Sequence, residues 1–394
     1  MKKQSNRIDE TRIAWLLTSA FYYWHPTLSY LAQLFPQMTA FAANWQGYAP
    51  GFEDSFKVEI VGKRKIIPIF KDTKSYGTNF TYLPLNLVNR LFHFKPHVIF
   101  SNSFGIWTIL ALLFKPLGKW RVVIAYEGSS PGVDYRNSFW RLFIRRLMVR
   151  FSDACITNSH AGKEYLTKIL NADLHCVFAY PYEVPDAVSM LREQQLVQLP
   201  LSQYQHPIFL FVGTITTRKG LNLLLEACNI LQKRGCDRYT LLIVGDGEQR
   251  AELETYTQEK GLSERVQWLG KVDYEKLGIY FAKADVFVLP TLEDTWGMVI
   301  LEAMVMGKPV LCSKWAGASE LVTEGENGYS FDPYEPEKLA DLMFCLIENP
   351  DLANVMGDKA KQLMEQYTPE VAAQFLKQVT SFVIKQRTTN EVVV

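Results

Sequence analysis

The sequence has no surplus of charge of either sign: 42 basic residues stand against 41 acidic ones in 394. A chain whose main partner is nucleic acid usually carries a basic excess, so nucleic acid is set aside as a partner. Cysteine is scarce, with six scattered residues and no Cys-x-x-Cys pair, which argues for reduced thiols in a core rather than a disulfide or zinc framework. The longest nearly unbroken apolar run, Gly105 to Phe114, falls well short of the ~20 residues a membrane-spanning helix needs. Lys2-Lys3 leads into the polar run Gln4 to Arg12 rather than an apolar core, so no secretory signal is expected. The expected location is the cytoplasm, with contact at the inner membrane face as a peripheral protein left open. Also missing is Gly-x-Gly-x-x-Gly, and with it the fingerprint of a two-domain NAD-dependent dehydrogenase.

What is present suits two globular domains. A length of 394 residues exceeds what one core usually organises, and 48% apolar against 21% charged residues supplies the material for two. Short aliphatic runs alternate with longer helical patterns, which predicts parallel sheets wrapped by helices. In the first half the strands are expected at Ile13 to Leu17, Lys57 to Val61, His97 to Ser101, Val122 to Ala125, Ala154 to Thr157 and Cys176 to Phe178. In the second half they are expected at Ile208 to Val212, Tyr239 to Val244, Val266 to Leu269, Val286 to Leu289 and Pro309 to Cys312. Gln194 to His206 lacks a period and carries Pro200, so the linker is placed there, with domains at 1–200 and 201–368. Helices are predicted at Pro336 to Glu348 and at Pro369 to Ile384, the latter through Val371, Phe375, Val379 and Phe382. Residues 369–394 are expected to cross back to the first domain and to end in a poorly ordered tail beyond Gln386.

Three segments of the second half carry chemistry. The buried run Phe209 to Val212 turns at Gly213 into Thr214-Ile215-Thr216-Thr217-Arg218-Lys219-Gly220 and then a helical stretch. A strand, a glycine turn and a helix start present free amides and the positive end of a helix dipole, and two adjacent cations there suit a diphosphate. A turn with solvated charges explains this segment equally well when it is taken alone. The second run, Leu241 to Val244, ends in Gly245-Asp246-Gly247-Glu248, small residues that let the chain turn sharply beside a ligand, although a simple tight turn explains Gly245 and Gly247 about as well. The third, Val286 to Pro290, delivers Asp294 in a loop, then Trp296, Gly297, Met298 and Val299, and places Glu302 about a turn into a helix. Helix-start amides take phosphate oxygens while carboxylates accept hydrogen bonds from sugar hydroxyls; an acidic helix start that only complements the dipole is the other reading of this element.

Taken in order, these residues resemble the retaining glycosyltransferase family 4, which has the GT-B fold. The resemblance covers about residues 207 to 360. It rests on Phe211-Val212-Gly213 with Lys219-Gly220, Val244-Gly245-Asp246-Gly247, Leu269-Gly270, Ala284 to Pro290, the Asp294-x7-Glu302 pair, Gly307-Lys308-Pro309-Val310 and Asn327-Gly328-Tyr329. It implies two Rossmann-like domains facing across a central cleft, with transfer of a hexose from a nucleoside-diphosphate sugar to a carbohydrate or lipid-linked acceptor. Polysaccharide or glycolipid synthesis at the cell surface is the implied setting. By the same resemblance Arg218 and Lys219 neutralise the donor diphosphate, Glu302 holds the ribose, Asp294 and the following amides hold the sugar, and Trp268 to Val272 flank the base. The sequence contains no Asp-x-Asp, so no donor-bound divalent metal or other cofactor is expected.

Departures from that family are informative. Asp294 stands where a glutamate is usual, with Glu293 beside it, and Thr214 stands where many relatives carry arginine. Glu127, in Tyr126-Glu127-Gly128, occupies the position of a family histidine on the acceptor side. These changes keep a second reading open, a catalytically silent nucleotide-sugar-binding or scaffold protein. The aromatic run Phe21, Tyr22, Tyr23, Trp24 and His25 is either an acceptor shelf or ordinary packing. Arg136 to Phe151, with five arginines at helical spacing, either packs on the sheet with its cations solvated or lies on an anionic membrane.

Overall fold

Both expected sheets form, and each is parallel throughout. The computed structural model describes residues 10–18, 22–68, 79–192 and 204–391. Two compact units result: residues up to Val184 join those from Tyr367 onward, and Pro185–Gln366 make the other. The expected linker around Pro200 and the tail residues 392–394 lie outside the described residues.

In the first unit β1 (Ile13–Leu17), β2 (Met38–Ala42) and β3 (Lys57–Ile60) precede a small antiparallel hairpin of β4 (Lys65–Pro68) and β5 (Asn79–Tyr82). Next come β6 (Val98–Asn102), β7 (Arg121–Tyr126), β8 (Ala154–Thr157) and β9 (Val177–Ala179), and the sheet order is β3-β2-β1-β6-β7-β8-β9. β1 is buried along its whole length, as a central parallel strand covered on both faces must be. Its side chains alternate between two cores: Ile13, Trp15 and Leu17 join one, Ala14 and Leu16 the other. Trp15 stacks on Phe100 with ring centroids 4.8 Å apart.

The final helix, Pro369–Glu391, packs on the helix His25–Leu34 of this unit, which is the expected return. It differs from expectation in length and face. Rather than ending by Ile384, it continues to Glu391. Its buried stripe is Ala373, Leu376, Val379 and Val383, while Val371 is exposed. Phe375 and Phe382 instead flank the stripe, their rings 5.2 Å from Tyr180 and 5.1 Å from Phe178. The bulky rings fit at the sheet margin, and the small residues let the helix approach the core closely.

The second unit contains β10 (Ile208–Val212), β11 (Thr240–Val244), β12 (Val266–Gly270), β13 (Val286–Leu289), β14 (Val310–Ser313) and β15 (Gly328–Phe331), ordered β12-β11-β10-β13-β14-β15. Strand order reverses at β10, between β11 and β13, the kind of switch point beside which open parallel sheets hold ligands at their carboxyl ends. Neither β2 nor β15 is among the sequence-predicted strands; β15 is short and opens on Gly328, whose backbone lies so close to β14 that a Cβ would sit 2.2 Å from the Val310 carbonyl oxygen. All six cysteines are free; Cys155, Cys228 and Cys312 are buried, whereas Cys176, Cys236 and Cys345 are only half-buried.

Candidate functional site

At the carboxyl ends of β10, β11 and β12, three glycines bring backbone against backbone. Gly213 N–H donates to the Val244 carbonyl at 3.0 Å, and Gly245 N–H donates to the Gly270 carbonyl at 2.8 Å. Gly245 has φ +147°, and a Cβ there would stand 1.9 Å from the Gly213 carbonyl oxygen, so no other residue fits without moving a strand. Leu269 and Gly270 close β12, with the Arg250 guanidinium beside Gly270. Thr214 is exposed at the mouth of this crevice.

Beyond Thr214 the chain forms a 3-10 turn at Thr217–Lys219 and enters the helix Leu221–Lys233 through Gly220. Gly220 has φ +65° and lies against the exit of β13; a Cβ would meet the Pro290 carbonyl oxygen at 2.1 Å. The two loops are then cross-linked. Leu292 N–H donates to the Arg218 carbonyl at 2.8 Å, and Arg218 Nη1 donates to the Glu293 carbonyl at 2.7 Å.

That cross-linking sets Lys219 Nζ 2.5 Å from Oδ2 of Asp294, with Arg218 Nη1 4.0 Å from the same oxygen. Burial pushes the Asp294 carboxyl up, but the Lys219 ammonium and then the Arg218 guanidinium outweigh it and hold the group below the usual carboxylate range. Both cations expected at the diphosphate are therefore gathered on one buried carboxylate. The arrangement places two positive groups around one negative one at the end of β13.

After Asp294 the chain passes the buried Trp296 and reaches Gly297, which caps the helix Met298–Val305 with φ +89°. Gly317 N–H donates to the Asp294 carbonyl at 3.1 Å and Ala318 N–H to that of Trp296 at 2.7 Å, which fixes the loop from its other side. Met298 and Val299 form the first turn, where helix amides lack intrahelical acceptors. Glu302 follows one turn later and is 2% exposed. Burial raises its carboxyl to about 7, a shift that a hydrogen bond from Tyr274 partly offsets. Its Oε2 is buried with no hydrogen-bond partner. An acceptor oxygen of that kind is costly unless a ligand donor completes it. Tyr274 itself was not singled out by the sequence, because nothing in Val272-Asp273-Tyr274 marks a partner 28 residues later.

Gly213, Thr214, Arg218, Lys219, Gly245, Leu269, Gly270, Asp294, Trp296, Gly297, Met298, Val299 and Glu302 thus all belong to the second unit. Glu127 belongs to the first. It follows β7, its Oε1 lies 3.4 Å from Asn102 Nδ2, and its carbonyl accepts the Asn158 N–H at 3.2 Å. Its neighbour Glu183, unnoticed in the sequence, is buried, and burial together with the Glu127 charge pushes its carboxyl well above the ordinary range. The aromatic run beside β1 resolves toward packing: Trp24 lies in the core 5.4 Å from Trp15, and buried His25 Nδ1 accepts the Ala49 N–H at 2.9 Å. Phe21 lies outside the described residues. Among the described residues, no three His, Cys, Asp or Glu side chains gather as metal ligands would.

Residues 197–363 match the family model described as Glycosyl transferases group 1. Among characterised relatives, the alpha-D-kanosaminyltransferase of Streptomyces kanamyceticus is 32% identical over 157 residues, 40% of this chain and 40% of its own length. The amylovoran biosynthesis glycosyltransferase of Erwinia amylovora is 32% identical over 175 residues, 42% of each chain. Both matches span less than half of the relative's length. The Anabaena HepE structure in complex with UDP is 17% identical with a TM-score of 0.73, over 94% of this chain and all of that one. That likeness shows the GT-B fold.

Proposed function

We propose that this chain, whose residues 197–363 match the family model described as Glycosyl transferases group 1, is a retaining hexosyltransferase. It takes a nucleoside-diphosphate sugar as donor and a carbohydrate or lipid-linked acceptor, in the assembly of a surface polysaccharide or glycolipid. The observation that carries this reading is the cluster of half-buried Lys219 and Arg218 on buried Asp294 at the switch point of the sheet, with Glu302 on the adjoining helix holding an unused carboxylate oxygen.

The chemistry follows from the charges. A diphosphate entering beside Gly213 and the first turn of Met298–Val305 competes with Asp294 for the two cations. Asp294, released from Lys219, accepts hydrogen bonds from the sugar hydroxyls, and Glu302 Oε2 accepts one from the ribose. As the bond from the anomeric carbon to the phosphate oxygen breaks, the acceptor oxygen bonds to that carbon from the same face and gives its proton to the departing diphosphate. The protein's work is to place the two substrates and to neutralise the leaving group. Arg218 and Lys219 perform the second task in this reading, without a divalent metal or other cofactor. Glu127, in the first unit, is the acceptor-side residue.

The test is a panel of nucleotide sugars, beginning with UDP-glucose, scored for nucleoside-diphosphate release and for the anomeric configuration of the product. Release with retention supports the reading. Nucleotide binding without turnover of any donor overturns it in favour of a silent binding protein.

A further inference from the structure

The helix Phe139–Phe151 carries apolar residues on both faces: Met148 and Val149 join the core, and a second apolar stripe faces outward. Its inward residues include Arg145, whose guanidinium donates to the Asp134 carbonyl at 3.1 Å and to the Tyr165 hydroxyl at 2.8 Å, and lies 4.8 Å from the centre of the Phe104 ring. Its outward residues include Phe139 and Trp140, 71% and 72% exposed, followed by Phe143, Ile144, Leu147 and Phe151. At about 100° per residue these six fall within an arc of about 140°, centred opposite Arg145. Exposed Arg150 falls within one margin of that stripe, exposed Arg146 just outside the same margin and exposed Arg141 beyond the other. Packing on the sheet with solvated cations, the plainer of the two sequence expectations, therefore accounts for the three outer arginines but not for the six apolar side chains.

The surface continues past the helix. Lys115 Nζ donates to the Phe151 carbonyl at 2.9 Å, which brings the exposed Leu113 and Leu117 beside its carboxyl end. A groove of about 540 Å³ opens alongside, lined by Phe143 and Leu147 and by Arg146 and Arg150, with Asp173 as its acid. Neither Phe104 to Tyr126 nor Tyr135 to Ser152 contains an aspartate or glutamate.

We propose that this face docks on an anionic lipid bilayer, with Trp140, Phe143, Leu147 and Phe151 entering the interface and the arginines meeting lipid phosphates. A large apolar patch rimmed by one sign of charge marks an interaction surface, and the charge selects the occupant. A second copy of this chain would bring arginine against arginine, whereas a layer of lipid phosphates complements them. The inference stands apart from the donor chemistry, so a failed donor panel leaves it untouched and the reverse also holds.

The experiment is co-sedimentation of the full chain with vesicles of phosphatidylcholine alone and of phosphatidylcholine with phosphatidylglycerol. Binding to the anionic vesicles that weakens with salt is expected. The double variant Trp140→Glu/Phe143→Glu and the triple variant Arg141→Gln/Arg146→Gln/Arg150→Gln should each lower that binding by about tenfold or more, with unchanged circular dichroism melting. Absence of binding to both vesicle types overturns the proposal, as does binding that both variants leave intact. Sedimentation velocity without lipid covers the remaining occupants: a stable dimer dissolved by Trp140→Glu assigns the face to a second copy and overturns lipid docking.

Discussion

Lys219 Nζ and Asp294 Oδ2 are 2.5 Å apart although 75 residues separate them in sequence. The Lys219 and Asp294 side chains are 12% and 9% exposed, so their interaction is poorly screened, and each is the other's main compensation for leaving water. The pair accordingly has a structural role in the ligand-free protein and a catalytic one in the proposed reaction, and the two can be separated.

Lys219→Ala is expected to reduce donor turnover by about 100-fold or more, because the leaving diphosphate loses a charge-assisted donor. It is also expected to destabilise the protein by about 3 kcal/mol, since Asp294 stays buried with only the more distant Arg218 opposite it. The double variant Lys219→Ala/Asp294→Asn removes the stranded charge and should regain most of the stability in urea unfolding, but none of the turnover. Turnover regained along with stability would leave Lys219 with a structural role only.

The Glu302 carboxyl titrates at about 7 in the folded chain against 4.5 for the ordinary group. A raised value means that the folded state favours the proton. The stability contributed by the protonated form is full below pH 4.5 and is lost as pH rises through about 7. Donor binding draws on the ionised form, which accepts from two hydroxyls at once, so donor affinity should rise from about pH 6 to about pH 8. Isothermal titration across that range checks this, and in Glu302→Gln the slope should vanish.

Tyr274→Phe is expected to move the same profile to higher pH, because the tyrosine hydroxyl pulls the Glu302 carboxyl down from the value that burial alone would set. A role for Tyr274 confined to packing would change affinity at all pH values alike. Comparing the midpoint of the affinity profile in the two proteins distinguishes these outcomes.

Gly245→Ala should cost about 3 kcal/mol or more, because a Cβ at 1.9 Å from the Gly213 carbonyl oxygen forces β10 and β11 apart where their carboxyl ends meet. Gly235→Ala is the comparison, with φ +76° but no atom within 4 Å of the added carbon. It should pay the left-handed backbone penalty of about 1–2 kcal/mol alone. Thermal melting of the two variants gives the difference.

The second unit was largely legible from sequence because its strands are uninterrupted apolar runs. Phe209 to Val212 and Leu241 to Val244 have few alternatives to a sheet buried on both faces, and each ends at a glycine, the second of which, Gly245, the neighbouring strand requires. The glycine turns that follow these strands were legible for the same reason, as were Arg218, Lys219, Asp294 and Glu302 as charged residues of the neighbouring segments. The first unit was harder to read. β2 opens as Met-Thr-Ala and carries no aliphatic run, and the last helix offered two apolar stripes of which the one with small residues is buried.

By itself, then, the sequence determined the alternation of strands and helices, the two sheets and the charged residues at the ends of β10 and β13, because these follow from local periodicity and turn chemistry. Only the tertiary structure decided which charges meet. Lys219 pairs with Asp294, and Tyr274 with Glu302, through loops brought together by the order of the sheet. It also decided that Arg145 points inward and Trp140 outward, since a guanidinium can be buried only where an oxygen such as Asp134's carbonyl, a hydroxyl such as Tyr165's and a ring such as Phe104's converge on it. Helical spacing defines the faces of such a segment, and the partners across the fold select which of them leaves water.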